Sequence, residues 1–101
     1  MRTNVIKAPA AVFAILVGIV LPFSAAADIR VFACEPEWAS LAREIGGDKI
    51  EAFSATHAGQ DPHHIRARPS LIARVRRADL LFCSGGGLEA GWLPILLQRG
   101  A

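Results

Sequence analysis

The sequence has little net charge, only two cysteines, no Gly-x-Ser-x-Gly turn, no internal repeat and no low-complexity linker. Each shortage excludes something. The formal charge of +2 belongs to the first few residues: without Arg2 and Lys7, nine basic residues face nine acidic ones. No strongly basic domain remains to bind nucleic acid. Without the nucleophile elbow an α/β serine hydrolase has no turn on which to expose its serine. The glycine run Gly85-x-Gly87-x-x-x-Gly91 follows the third candidate strand, and no acidic residue closes a βαβ unit around it, so a dinucleotide site fails on context. At 101 residues the chain is also too short for a complete two-domain enzyme or transporter.

What is present starts with a leader. Arg2 and Lys7 form a basic segment, Ala11 to Leu21 an apolar one, Pro22 breaks the helix, and Ala25-Ala26-Ala27 supplies small residues for cleavage. Residues 1–27 are therefore expected to be a signal peptide and residues 28–101 the folded unit, soluble in the periplasm. An uncleaved anchor is the weaker alternative, disfavoured by Pro9, Pro22 and the alanine-rich end. A lipoprotein needs an acylatable cysteine directly after the apolar run, but Asp28 and Arg30 interrupt the approach to Val31-Phe32-Ala33-Cys34. The 74 remaining residues make a core near the lower size limit of independent stability.

Ile29 to Cys34 reads as a strand. Pro36 opens a helix carrying Glu35 and Glu37 at its positive end, with Trp38, Leu41, Ala42 and Ile45 as the apolar face and Gly46-Gly47 as the stop. A second strand is expected from Lys49 to Ala55, then a polar loop from His57 to Pro69. Ser70 is expected to cap a second helix with Leu71, Ile72, Val75 and Ala78 on its inner face. Asp79 to Cys83 reads as a third strand, and a last helix begins near Trp92. The order β-α-β-α-β-α predicts an α/β fold, a three-layer lobe with a parallel sheet in strand order 2-1-3. The third strand would be an open edge unless more chain follows.

Ligands of open α/β sheets bind at the carboxyl ends of the strands. Three segments reach that edge: Cys34 to Glu37, the loop from His57 to Pro69, and Cys83 to Gly85. In the middle loop, Pro62 holds Asp61 extended and fixes its own φ, so His63 is presented from a stiffened turn. A neutral imidazole on a rigid loop suits a zinc or manganese ion, although a lone loop histidine is also commonly only solvated.

Several motifs together carry a family resemblance: Gly46-Gly47-Asp48-Lys49-Ile50, Gly59-Gln60-Asp61-Pro62-His63, Arg68-Pro69-Ser70, Ala78-Asp79-Leu80-Leu81-Phe82 and Gly85-Gly86-Gly87-Leu88-Glu89. From Asp28 to the end, the chain resembles the N-terminal lobe of the zinc- and manganese-binding solute-binding proteins of ABC transporters, the family of adhesin-like metal receptors. The resemblance implies an incomplete first lobe of a two-lobed receptor. Such a receptor captures the metal in the periplasm and delivers it to an ABC permease in the inner membrane; it is expected to be a monomer and to do no bond chemistry. The family's first ligand, the histidine after Asp-Pro, carries over to His63; the other ligands come from later in the family's chain. Ile65 stands where the family often has an aromatic residue, Arg66 where it often has an acid, and Cys83-Ser84 where it commonly has Tyr-Asn. These departures bear on metal selectivity more than on fold.

The remaining candidates are weaker. His64 is expected to diverge from His63 into solvent or to act behind it, and His57 to bond at the surface. Cys34 and Cys83 end neighbouring strands; an oxidising compartment allows a disulfide. Parallel neighbours rarely meet disulfide geometry, however, so two buried thiols are expected. A Cys34/Cys83/His63 zinc site is less favoured, because it asks three ligands to meet by coincidence. The arginines around the second helix read as a solvated face. A small periplasmic α/β enzyme would need Glu35, Glu37 or Cys83 beside His63, and a truncated, non-functional fragment is the third alternative.

Overall fold

Three short runs of aliphatic and aromatic residues become the strands β1 (Ile29–Ala33), β2 (Ile50–Ser54) and β3 (Leu80–Phe82) in a computed structural model that describes residues 28–101. The leader expected over residues 1–27 lies outside the described residues. All pairing is parallel in the order β2-β1-β3, with Ile29 opposite Ile50 and Ala33 opposite both Ser54 and Phe82. The central strand turns alternate residues to opposite faces. Val31 joins Ala42 and Phe82 in one apolar seam, while Phe32 and Cys34 join Leu71, Trp92 and Leu96 in the main core.

Three helices cover the sheet: α1 (Pro36–Gly46), α2 (Pro69–Arg77) and α3 (Leu93–Gly100). A 3₁₀ turn, Gly47–Lys49, links α1 to β2. Each helix has a proline in its first turn, where the missing N–H costs nothing. Helix α1 lies on one face of the sheet, and α2 and α3 pack on each other over the opposite face. The three-layer parallel lobe agrees with the sequence pattern.

Two helix details differ from expectation. The face of α1 toward the sheet is built from the small residues Ala39 and Ala42, which let the helix lie close, while Leu41 is 41% and Ile45 76% exposed at its flanks. Trp38 reaches back to stack on Phe82, with ring centroids 5.1 Å apart. Helix α2 starts at Pro69 rather than after a Ser70 cap. Arg68 is the cap residue without a side-chain cap bond, and its Nε donates to Ser70 Oγ at 3.0 Å. The basic end of α2 is mostly exposed, as expected, and Arg74 lays its guanidinium over the Phe53 ring at 4.5 Å.

Asp79 precedes β3 rather than belonging to it. Its N–H donates to Arg30 O at 2.8 Å, and its carboxylate accepts the Arg30 N–H at 2.8 Å, so a side chain extends the ladder by one rung. That backbone N–H, helped by the Arg30 guanidinium, holds the Asp79 acid below its ordinary range. Among the described residues the outer edge of β3 is unpaired, with Leu80 53% exposed.

The cysteines overturn an expectation. Cys34 and Cys83 form a disulfide rather than two free thiols, with Cα atoms 4.8 Å apart. They stand one residue past the last paired positions, Ala33 and Phe82, where the ladder ends. Cys34 N–H still donates to Phe82 O at 3.0 Å, but beyond it the chains leave for α1 and for a glycine loop. Freed from the pleat on one side, the two side chains can turn toward each other. The bridge spans 49 residues, and closing so long a loop restricts the unfolded chain by about 4 kcal/mol. A Cys34→Ala/Cys83→Ala chain should therefore unfold at markedly lower urea concentration than the oxidised protein, with the loss approaching that figure.

Candidate functional site

The carboxyl edge of the sheet gathers the three segments that the sequence placed there, and hydrogen bonds join them. Thr56 Oγ donates to Cys34 O at 2.9 Å in the buried interior, tying the second loop to the first. Trp92 Nε1 donates to Pro62 O at 2.7 Å, tying the second loop to the start of α3. Trp92 is 1% exposed, so the indole is fixed by the core and fixes the loop in turn. Gly91 serves the same docking: a Cβ there would lie 3.0 Å from His63 O, tighter than the loop allows without shifting.

Within that loop Asp61 is the organising residue. Its Oδ1 accepts the His63 N–H at 3.0 Å and meets His63 Nδ1 at 2.8 Å, while its Oδ2 meets His64 Nδ1 at 3.0 Å. The backbone N–H of His63, then the imidazoles of His64 and His63, hold the Asp61 carboxyl far below the usual carboxylate range. An ionised carboxylate only accepts, so Nδ1 of each histidine carries a proton, and in the neutral ring Nε2 is the nitrogen left with a lone pair. His63 is 59% exposed and His64 84% exposed at the side chain. The two imidazoles thus share one acceptor rather than diverging, their centroids 6.3 Å apart. This is the orientation by an outer carboxylate that metal-binding histidines commonly need.

His57 behaves as expected of a surface residue: its Nδ1 accepts the Gly59 N–H at 3.3 Å, and its backbone bonds with Gln60 close the turn. It lines an open depression of about 380 Å³ together with Glu35, Thr56 and Pro62, between the first and second loops.

Glu35 is the unexpected member. It is 3% exposed, its Oε1 accepts from Ser84 Oγ at 2.9 Å, and its Oε2 is buried with no donor. Ser84 Oγ in turn accepts from Trp38 Nε1 at 2.7 Å. Beside it stands Glu89, also 3% exposed, whose carboxylate accepts the N–H groups of Ser84 at 3.1 Å and Gly85 at 2.9 Å. The loop can fold over Glu89 because Gly85, Gly86 and Gly87 take φ of 76°, 65° and 88°, a left-handed run closed to other residues at low cost. Burial first, then the adjoining Glu89 carboxyl, raises the Glu35 acid above its ordinary value.

The sequence singled out His63, Glu35, Cys34 and Cys83 but missed Asp61, Gly91, Trp92 and Glu89 as the residues that hold them. Asp61 was legible as an Asx-Pro turn former, not as a shared imidazole acceptor; the contact across from Trp92 had no local signal. The disulfide also removes two alternatives. Cys83 has no thiol to act as a nucleophile beside His63, and a Cys34/Cys83/His63 zinc site has no thiolates.

The three-layer parallel sheet with its loops gathered at the carboxyl edge is the architecture of a solute-binding-protein lobe. The particular family follows: residues 31–101 match the family described as zinc-uptake complex component A, periplasmic, and the chain belongs to it. The chain is 36% identical to a manganese ABC transporter substrate-binding lipoprotein, PsaA, of Streptococcus anginosus over 74 residues, which cover 70% of this chain and 24% of the relative. It is 35% identical over 79 residues to the manganese lipoprotein scaA of Streptococcus gordonii, covering 75% and 26%. It is 32% identical over 78 residues to the metal lipoprotein FimA of Streptococcus parasanguinis, covering 74% and 25%. The chain therefore spans about a quarter of the length of these relatives. They are transport proteins, and the resemblance read from the Asp-Pro-His loop and its companion motifs is correct.

The raised Glu35 acid gives a signed pH effect. A carboxyl with a raised folded value favours the fold when protonated, so its contribution is full below the ordinary glutamate range and is lost as pH rises through the raised value. Glu35→Gln should melt higher than the native chain at about pH 7, with the difference closing toward about pH 4. Thermal melts across that range check it; parallel curves would count against a protonated Glu35.

Proposed function

We propose that residues 28–101 form the first lobe of a periplasmic receptor that captures a divalent transition metal, zinc or manganese, and delivers it to an ABC permease in the inner membrane. His63 is the ligand this lobe contributes. The observation that supports this most is the Asp61–His63 pair: a docked loop, a carboxylate on Nδ1, and an exposed imidazole at the sheet edge, on the histidine that the family resemblance makes the first ligand. His64 and His57 stay outside the ion's immediate shell, His64 as a second claim on the Asp61 carboxylate. The lobe binds and releases; it carries out no reaction.

Family and relatives differ on the metal, the family being described by zinc and the relatives by manganese or metal. A single imidazole does not choose between them: zinc takes it readily, and manganese accepts it beside carboxylates. The remaining ligands decide, and the family resemblance draws these from later parts of its members' chains.

A cleaved leader and a soluble periplasmic product complete the proposal. The relatives are named lipoproteins; the burial of Cys34 and its bond to Cys83 support a soluble product over one anchored through that cysteine.

Titration of the chain with manganese and with zinc, followed by nuclear magnetic resonance, tests the assignment. Binding perturbations should centre on His63, and His63→Ala should abolish them. Asp61→Asn leaves the ligand but removes the charge on Nδ1, and should weaken binding by about 10–100-fold. Perturbations that survive His63→Ala would overturn the assignment. Gly91→Val tests the docking separately: the circular dichroism should be retained while the His63 resonances shift and the affinity falls.

A further inference from the structure

The edge of the sheet holds a second group of ligating atoms, away from the exposed imidazoles. Cys34 Sγ, Cys83 Sγ and a Glu89 carboxylate oxygen all lie within 4.8 Å of one another. Two ligands on one tetrahedral zinc ion are separated by roughly 3.5–4 Å, given bonds of about 2.3 Å to sulfur and 2.0–2.2 Å to oxygen. In the oxidised protein the two sulfurs are bonded to each other with the carboxylate beside them, so reduction must let the sulfurs part to that spacing. Cys34 and Glu89 are buried, and Cys83 is half-buried.

Two further observations point to a cation. Glu35, next to Cys34 in the chain, has a buried Oε2 with no donor. Glu35 and Glu89 lie side by side, and among the described residues neither is ion-paired with a lysine, arginine or histidine. Ser84 Oγ and the N–H groups of Ser84 and Gly85 serve the two carboxyls, which also meet each other. Two acids buried together need a proton or a metal ion to offset their repulsion.

We propose that the Cys34–Cys83 disulfide is the closed form of a redox-gated metal site, in which reduction lets Cys34, Cys83 and Glu89, completed by Glu35, bind one thiophilic divalent ion of the zinc class. The reductant is a dithiol. One of its thiolates attacks Sγ of Cys83, the less buried of the two cysteines, and Cys34 leaves as thiolate; the second thiol of the reductant then displaces Cys83. Two electrons pass to the disulfide, the reductant closes its own disulfide, and Cys34 and Cys83 are left as thiols. The metal ion replaces their two protons, which go to solvent. A small disulfide reverses the step: one cysteine thiolate attacks it and releases one of its sulfurs as a thiol, the other cysteine thiolate then displaces the second sulfur, and the ion leaves as the bridge re-forms. The site is independent of the His63 reading, since it uses no histidine.

The test uses the His63→Ala chain, so that the imidazole site contributes nothing, in oxidised form and after reduction by dithiothreitol and its removal under argon. Cobalt(II) is the probe. The reduced chain should take up one equivalent with a sulfur-to-cobalt charge-transfer band in the near ultraviolet, and the oxidised chain should show none. Zinc should slow alkylation of both thiols by at least about tenfold and should raise the melting temperature that reduction lowered. Glu35→Gln should keep the band and weaken the affinity. No sulfur-to-cobalt band in a reduced chain that retains its far-ultraviolet circular dichroism would overturn the proposal. So would a reduced chain that unfolds and is not refolded by zinc.

Discussion

Cys34 ties the lobe together at the point where function is expected. Its N–H reaches Phe82 O, its carbonyl accepts from Thr56, its sulfur is bonded to Cys83, and the next residue begins the cap of α1. These bonds connect the end of β1, among the described residues the one strand paired on both edges, to the second loop, to the end of β3 and to α1. The second loop is positioned through Thr56 and again through Trp92, and the third through the disulfide and Glu89.

A small lobe makes this arrangement necessary. With 74 described residues and three strands, the hydrophobic core rests on a few large side chains: Phe32, Leu71, Trp92 and Leu96. Loops built on so small a base need local restraint, and the chain supplies it by several means: a proline turn, a carboxylate shared by two imidazoles, an indole bonded to a loop carbonyl, and a covalent bridge. The outcome is a rigid imidazole on the surface. Rigidity there has a functional reading, because a ligand already oriented loses little entropy when a metal ion arrives.

Much of the fold was legible in the sequence. The strands, the proline helix starts and the 2-1-3 order followed from local composition and from the rules for parallel connections, since both depend on short stretches of chain. Departures came where long-range packing decides. Helix α1 turned its alanines inward because the sheet demanded close approach, leaving Ile45 exposed. The disulfide escapes the strand-pair rule because it lies one residue beyond the end of the ladder. At the site, His63 was legible from its proline-stiffened turn and from family resemblance. Gly91 and Trp92 were not, because the carbonyls they meet belong to residues about 30 positions away. Glu35 was visible as a helix-start acid, but only the structure shows it buried against Glu89.

The imidazole of His63 is the centre of the functional reading, and its tautomer is directly observable. Nitrogen-15 resonance of the labelled side chain distinguishes a protonated ring nitrogen from one with a free lone pair. At neutral pH without metal, Nδ1 should be protonated and Nε2 free, and added zinc should move the Nε2 resonance while leaving Nδ1 bonded to Asp61. A protonated Nε2 in the metal-free chain, or loss of the Nδ1 proton on adding zinc, would contradict the claim that Asp61 prepares His63 to bind a metal ion.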